Sequence, residues 1–393
     1  MYKFCHNISD ETIKTIISSP DDTVIILGLA EATPYFKNLR QPSIDALGKY
    51  ISQYENSDVK PDIRILTCGN DYPEHCPYIF KHHMYYEGQY YLPPWTKVVS
   101  FNTWYFYNTF DEYLHWAIQK SQYGTMWCLD LMKSDTFVPD KLYSSFIHRP
   151  TKTNRLCLMK ILLDRNVLSK GEVRFANNER VWQEFLNTEH HKGFAIFNDL
   201  KHQVTQHAPS LLGPFKFWED SETSSWGLDP SYMRGLFDLV CETDTNLNFF
   251  SEKCIRPLIF GKPFVILGTP NHNTSLEKLG FSIYRGMFNI KTEQDSLTFK
   301  DSKPIEILEH YDKLLFPLWD IDSSRLALRE LYELTLNQTF FNQNRAVKIC
   351  FDDSLIPEEF LLNNCWYNNI KATRSHIGSD NFFRKFVPKD RVI

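Results

Sequence analysis

Short apolar runs that alternate with longer helical stretches constrain the fold of this chain most. Residues 23–28 (TVIILG) are continuously apolar and end in glycine, a pattern typical of a strand buried on both faces of a parallel sheet. Residues 43–54 follow with helical spacing, and a further helix is predicted over 111–122. Other strand candidates of the first half are residues 62–67, 97–101 and 125–129. The alternation predicts an α/β fold.

The same alternation continues in the second half of the chain. Strands are predicted at 142–148, 237–241 and 263–267, and helices are predicted through Leu163, from Glu252, through Leu279 and over 305–336. A chain of 393 residues is too long for one ordinary core, so two domains are expected. We predict two Rossmann-like domains with parallel sheets facing across a cleft. They comprise residues 1–140 and 141–340, and a C-terminal extension, 341–393, packs back on them.

Bulk composition excludes several classes of protein. The formal charge of −5 and the pI near 6.2 give no global attraction to nucleic acid, so a polyanion would need a local basic patch. The nine cysteines are singly spaced, as expected of reduced intracellular thiols. Neither a signal peptide nor an apolar run of about 18 residues is present. The sequence therefore predicts a cytoplasmic protein without a membrane partner.

The window from Glu242 to Gly268 carries the clearest chemical pattern. A buried strand delivers Glu242 at its carboxyl end, Ser251 can cap a helix that begins at Glu252, and Gly261 ends that helix. Lys253 opposes the positive helix end unless an anion binds there. Free N–H groups and Lys253 would then hold a diphosphate, and Glu252 could bind ribose hydroxyls. The alternative is an ordinary βαβ unit in which both charged side chains are simply solvated.

This window also resembles a known family. The order E-T, F-F-S-E-K, P-L, G and P-F-V-I-L-G is similar to the donor-binding segment of the fucosyltransferase-like glycosyltransferases, which include many phage and large-virus members. The resemblance covers about residues 142–290 and implies a GT-B architecture. It implies that Glu252 and Lys253 hold the ribose and pyrophosphate of a UDP- or GDP-linked sugar. The chain departs from the family pattern at Cys254, where threonine is common, and at residues 288–291, which replace an acidic run.

A basic segment supports the same hypothesis. Residues 141–174 contain eight Lys or Arg against only Asp164 and Glu172. Arg149 and Arg155 fall in a connection between a strand and a helix, where arginine suits bidentate phosphate contact, and viral relatives have a similar basic loop. We predict that Arg149 or Arg155 contacts the donor phosphates. A solvated charged face is the alternative.

Glycosyl transfer also needs charge stabilisation of the leaving diphosphate and, for inversion, a base. No D-x-D motif appears, so we expect no metal. The adjacent histidine pairs at 82–83 and 190–191 do not suit a shared ion, because neighbours on a strand point to opposite faces. Glu31, just past the Gly28 turn, is the predicted catalytic base. The alternatives, Asp71, Glu74 and His75, follow the next strand.

These observations favour a metal-independent nucleotide-sugar glycosyltransferase. Its predicted acceptor is a hydroxymethylated base of phage DNA, reached through the local basic patch in an infected host cell. A glycan or protein acceptor is the first alternative. The others are a nucleic-acid-binding protein without catalysis, which would use residues 141–174 and the basic C-terminal tail, and an interaction protein that retains a degenerate transferase fold.

Overall fold

The structure of the protein is a computed structural model in which the chain forms two compact units. Unit 1 comprises residues 1–108 and 349–374, and unit 2 comprises residues 109–348 and 375–393. The structure describes residues 1–6, 9–28, 41–67, 85–86, 89–90, 95–101, 103, 106–107, 139–147, 153–175, 197, 199–206, 230–242, 250–269, 271–290, 304–362, 368, 370–372 and 374–375. The predicted domain boundaries at 140 and 340 stay predictions.

Unit 1 is built on a parallel sheet. Its elements are β1 (Tyr2–His6), α1 (Asp10–Ser18), β2 (Thr23–Gly28), α2 (Gln41–Tyr54), β3 (Ile63–Thr67), β4 (Tyr85–Tyr86), β5 (Gln89–Tyr90) and β6 (Lys97–Ser100). The strand order of the parallel sheet is β1-β2-β3-β6, and β4 and β5 form a separate short antiparallel pair. Ser9 begins α1 because its hydroxyl accepts the Thr12 N–H, and acidic side chains in the first turn suit the positive helix end.

The C-terminal part of the chain completes the core of unit 1. The Tyr107 hydroxyl donates to the Ile349 carbonyl at 3.0 Å, and the rings of Phe101 and Phe360 meet edge to face at 4.9 Å. The Arg64 guanidinium donates to Glu359 at 2.9 Å. Residues that are about 250 to 300 positions apart in the sequence therefore share one hydrophobic core.

Unit 2 contains the second parallel sheet. Its elements are β7 (Lys141–Ile147), α3 (Thr153–Asp164), β8 (Gly171–Phe175), α4 (Leu200–Gln206), β9 (Gly235–Cys241), α5 (Glu252–Ile259), β10 (Phe264–Leu267), α6 (His272–Lys278), α7 (Pro304–Trp319) and most of α8 (Arg325–Phe351). The strand order of this sheet is β10-β9-β7-β8. The last residues of α8, 349–351, belong to unit 1, which also contains α9 (Glu358–Leu361).

The crossover from β7 to β8 and the crossover from β9 to β10 proceed in opposite directions along this sheet. The chain passes from β7 to β8 on one side, then returns to β9 and continues to β10 on the other side. Crossovers of this kind are right-handed, so α3 and α5 cover opposite faces. Two contacts agree, because Asp238 of β9 pairs with Arg256 of α5, whereas Cys241, three residues along, meets Asn154 of α3. The strand order therefore reverses between β7 and β9.

A buried polar cluster stabilises the α5 face of the sheet. Asp238 is fully buried and accepts hydrogen bonds from Arg256 at 3.1 to 3.3 Å and from the Tyr232 hydroxyl. The Lys262 ammonium lies 4.0 Å from the centroid of the Tyr232 ring and donates to the Ser144 hydroxyl at 3.1 Å. Buried charges are tolerated when they are paired and hydrogen-bonded in this way.

The predicted mixed α/β fold with parallel sheets is confirmed, and it is compatible with two Rossmann-like domains. The predicted strands at 23–28, 62–67, 97–101, 142–148, 237–241 and 263–267 each match an observed strand within about one or two residues. The single helical stretch expected over 305–336 is instead two helices, because Asp322 and Ser324 form a new helix start. The strand predicted at 125–129 and the helix predicted at 111–122 lie outside the described residues.

Among the residues that the structure describes, no helix combines the length and the apolar character needed to cross a lipid bilayer.

Candidate ligand site at the reversal of strand order

The carboxyl ends of β7 and β9 mark the point where the strand order of unit 2 reverses. In open α/β sheets, neighbouring crossover helices on opposite faces leave a crevice at this point, and ligands bind there. The helices that follow these two strands, α3 and α5, begin at Thr153 and Glu252. The predicted site residues Arg155, Glu242, Ser251, Glu252 and Lys253 all lie on this edge of the sheet or in the first turn of these helices.

Ser251 caps α5, as the sequence predicts. Its backbone is extended, and its hydroxyl accepts the Lys253 N–H at 3.2 Å. The helix contains Pro257 and ends before Gly261, as predicted for Gly261, whose φ of +59° lies in the left-handed region that glycine adopts readily. The local pattern of capping serine, charged first turn and terminal glycine therefore specifies this helix.

Glu242 is buried at the end of β9 and receives hydrogen bonds from the start of α5. Its Oε1 atom accepts from the Ser251 hydroxyl at 2.9 Å, from the Ser251 N–H at 3.4 Å and from the Cys254 thiol at 2.6 Å. The Cys254 N–H bonds in turn to the Ser251 carbonyl. The N–H groups of Ser251, Lys253 and Cys254 therefore each have a partner within the protein. That this helix end holds a diphosphate stays a prediction.

Lys253 and Glu252 form an ion pair at the edge of the site. Their side chains are 20% and 29% exposed, so both are partly shielded and still accessible to solvent. Burial raises the pKa of Glu252, but the charge and hydrogen bond of Lys253, with a smaller contribution from Arg155, lower it more. The pKa of Glu252 therefore lies below its ordinary value, and the side chain is a carboxylate at neutral pH.

Arg155 joins this cluster from α3 and is 4% exposed. Burial raises the pKa of the Cys241 thiol to about 12, and the positive charges of Arg155 and Lys253 oppose that shift. Both cations therefore act on the same buried atom at the end of β9. The Lys253 ammonium is paired with Glu252, and its side chain is only 20% exposed.

Asn154 links the start of α3 to the end of β9 across the reversal. Its side-chain amide is buried and donates to the Glu242 carbonyl at 2.6 Å and to the Cys241 sulfur at 3.6 Å. This contact ties the first turn of α3 to the end of β9 and places Arg155, the next residue, beside the site. The residue pattern around Asn154 did not indicate this role, because the contact spans 88 positions of the sequence.

The turn after β10 closes the neighbouring edge of the sheet. The ring nitrogen Nδ1 of buried His272 accepts the Thr269 N–H at 2.8 Å, so that nitrogen carries no proton in this contact. A side chain at Gly268 would collide with the ring, since a Cβ atom there would lie 2.0 Å from Nδ1. The Glu242 N–H donates to the Leu267 carbonyl at 3.0 Å, which joins this turn to the site.

Several predicted residues lie outside the described part of the chain. These are the predicted catalytic base Glu31, its alternatives Asp71, Glu74 and His75, and the predicted phosphate contact Arg149. Their roles stay predictions.

No protein-family profile, no curated protein and no solved structure matches this chain. The chemistry of the site is therefore inferred from its own geometry. Two cations, one accessible carboxylate and two helix starts meet at the edge of a parallel sheet, an arrangement that suits a ligand with both phosphate and hydroxyl groups.

Proposed function

We propose that unit 2 binds a nucleotide sugar and that the protein is a glycosyltransferase of the GT-B type. The observation that carries this proposal is the convergence of Lys253, Arg155 and Glu252 at the strand-order reversal. Two α/β units with parallel sheets are also the elements that this architecture requires. That the two sheets face each other across a cleft is a further part of the proposal.

The charges of the site suit a diphosphate leaving group. Lys253 now pairs with Glu252, and an incoming diphosphate offers that ammonium a more highly charged partner. Moving Lys253 to the phosphates would free the Glu252 carboxylate to accept hydrogen bonds from ribose hydroxyls. Arg155 would add a second positive charge. In this proposal these side chains stabilise the negative charge that develops on the leaving group, without a metal ion.

The acceptor and the catalytic base complete the proposal. A hydroxymethylated base of phage DNA stays the predicted acceptor, and Glu31 stays the predicted base that removes the hydroxyl proton. In an inverting transfer, the acceptor oxygen would form a bond to the anomeric carbon as the bond from that carbon to the diphosphate oxygen breaks. Glu31 would take the acceptor proton, and the diphosphate would leave with the bonding electron pair.

Calorimetric titration with UDP, GDP and their sugars tests donor binding directly. Lys253→Ala should lower the affinity for the bound nucleotide by about 10- to 150-fold, the range expected for losing one charge-assisted hydrogen bond. Lys278→Ala removes an exposed lysine from the last turn of α6 and is the matched control, with no change expected.

Three results would contradict the proposal. The wild-type protein could bind no nucleotide, the two lysine variants could lose affinity equally, or salt-sensitive DNA binding could occur without nucleotide binding. The last result would select the nucleic-acid-binding alternative. If a donor binds, transfer to hydroxymethylated DNA, plain DNA and simple sugars identifies the acceptor.

A further inference from the structure

The buried carboxylate of Glu242 lies at the end of α5 where the proposed diphosphate would bind. Glu242 is fully buried and directly follows Cys241, the last residue of β9. The Oε1 atom accepts hydrogen bonds from three donors, the Ser251 hydroxyl, the Ser251 N–H and the Cys254 thiol. A set of donors around one oxygen is the environment of an ionised carboxylate.

The first consequence of this contact is orientation of the capping serine. A serine hydroxyl has one proton to donate, and here the proton is directed at Glu242, at 2.9 Å. The lone pairs of the same oxygen can then accept the Lys253 N–H at 3.2 Å. Glu242 thus fixes the hydroxyl in the rotamer that caps α5 and positions the backbone from which Lys253 extends.

The second consequence is electrostatic. Burial strongly raises the pKa of the Cys254 thiol, and the negative charge of Glu242 raises it further, so this carboxylate acts on the first turn of α5. A diphosphate at Lys253 would be repelled by the same charge. Glu242 also uses the Ser251 N–H, which would otherwise be available to an anion at this helix end.

We infer that Glu242 is a positioning residue that also limits the affinity of the site for anionic ligands. This inference rests on the proposed function. A glycosyltransferase must release a nucleoside diphosphate after each transfer, and product release limits many enzymes. A fixed buried anion next to two cations allows a diphosphate to be held during the reaction and then to dissociate.

The test uses Glu242→Gln, which keeps an oxygen acceptor for Ser251 and Cys254 and removes the charge. Dissociation constants are measured for a nucleoside, its monophosphate and its diphosphate, using the base that wild-type protein binds. The diphosphate should bind the variant about three- to tenfold more tightly, as expected for removal of one like charge at a partly shielded site. The affinity for the monophosphate should rise less, and the affinity for the nucleoside should not change.

Two further variants separate orientation from charge. Ser251→Ala removes the cap but keeps the charge of Glu242, so it should weaken diphosphate binding and lower the melting temperature. Glu277→Gln removes an exposed carboxylate of α6 and should leave all three constants unchanged. Circular dichroism establishes that each variant is folded.

The outcomes distinguish the inference from the proposed function. If the diphosphate binds wild-type protein but binds Glu242→Gln equally or more weakly, the inference is overturned and the donor site stands. An equal gain in affinity for the nucleoside, the monophosphate and the diphosphate would also overturn it. Such a gain would not depend on ligand charge, so it would indicate a change in the shape of the site. If neither protein binds any of the ligands, both the inference and the proposed function fall.

Discussion

The two sheets of this protein have the same number of described strands and the same parallel pairing, but they differ in strand order. In unit 1 the order follows the sequence, whereas in unit 2 it reverses between β7 and β9. Their charged residues differ as well. Asp62 of unit 1 pairs with Arg64 and is 30% exposed, while Asp238 of unit 2 pairs with Arg256 and is fully buried.

This difference shows how topology creates a site from ordinary elements. In both units, parallel strands alternate with helices. Only the reversal places two helix starts on opposite faces of adjacent strand ends, and Arg155 and Lys253 lie in the first turns of those two helices. In the described part of unit 1, the strand order gives no such convergence. Four predictions test how far the two units differ in their energetics.

The largest effect is expected from the buried ion pair of unit 2. Asp238→Ala leaves the Arg256 guanidinium buried without its carboxylate, which should destabilise the protein by about 3 to 5 kcal/mol. Asp62→Ala breaks a partly exposed pair and should cost about 1 kcal/mol or less. Urea unfolding followed by circular dichroism measures both free energies. Equal losses would show that the two pairs are not energetically distinct.

The close packing of the unit 2 sheet should make Gly235→Ala the next most destabilising change. A Cβ atom at this position would lie 2.3 Å from the backbone nitrogen of Ser144 on the neighbouring strand. Since backbone cannot move aside as a flexible side chain can, we expect a loss of about 1 to 3 kcal/mol in the same unfolding measurement. An unchanged midpoint would mean that β7 and β9 are less tightly packed than the structure shows.

The corresponding change in unit 1 should have the opposite sign. Gly48 lies on an exposed face of α2, and a Cβ atom there meets nothing within 4 Å. Alanine has a higher helix propensity than glycine, so Gly48→Ala should stabilise the protein by about 0.5 to 1 kcal/mol. A rise in the urea midpoint of unfolding would confirm this. A fall would show that the exposed face of α2 has a contact that alanine disrupts.

The smallest effect concerns acid stability. Hydrogen bonds from Arg64 lower the pKa of Asp62, and they outweigh burial, which raises it. A carboxyl group whose folded-state pKa is lowered stabilises the protein above its unfolded-state pKa of about 3.9, and this contribution is lost as the pH falls through the folded-state value. Asp62→Asn should therefore lower the melting temperature at pH 7 and have less effect near pH 3. Glu55→Gln, at an exposed position, is the control.

Most central strands could be predicted because their sequences are continuously apolar. Residues 23–28 and 235–241 have only one charged side chain between them, Asp238, and their neighbours on both sides are strands. Two strands of the parallel sheets were not predicted, Tyr2–His6 and Gly171–Phe175, and each lies at the edge of its described sheet. Polar residues interrupt both, as in YKFCH and GEVRF, so the apolar signal of a buried strand is absent.

The candidate site was predictable where its signal is local. The cap at Ser251 and the first-turn residues Glu252 and Lys253 follow from a pattern within three positions. By contrast, the roles of Asn154 and Glu242 depend on contacts with residues of another element. The Asn154 contact spans 88 positions of the sequence, and the Glu242 contact spans 9. The occupation of the helix N–H groups could not be predicted, because it depends on where the buried carboxylate lies.

The completion of unit 1 by residues 349–374 affects the order in which the protein can fold during synthesis. Domains generally fold as units as the chain leaves the ribosome, with the N-terminal one first. Here Ile349, the partner of Tyr107, is translated 242 residues after it, and Phe360, the partner of Phe101, follows later still. Residues 1–108 therefore finish their core only after residues 109–348 of unit 2 have been translated.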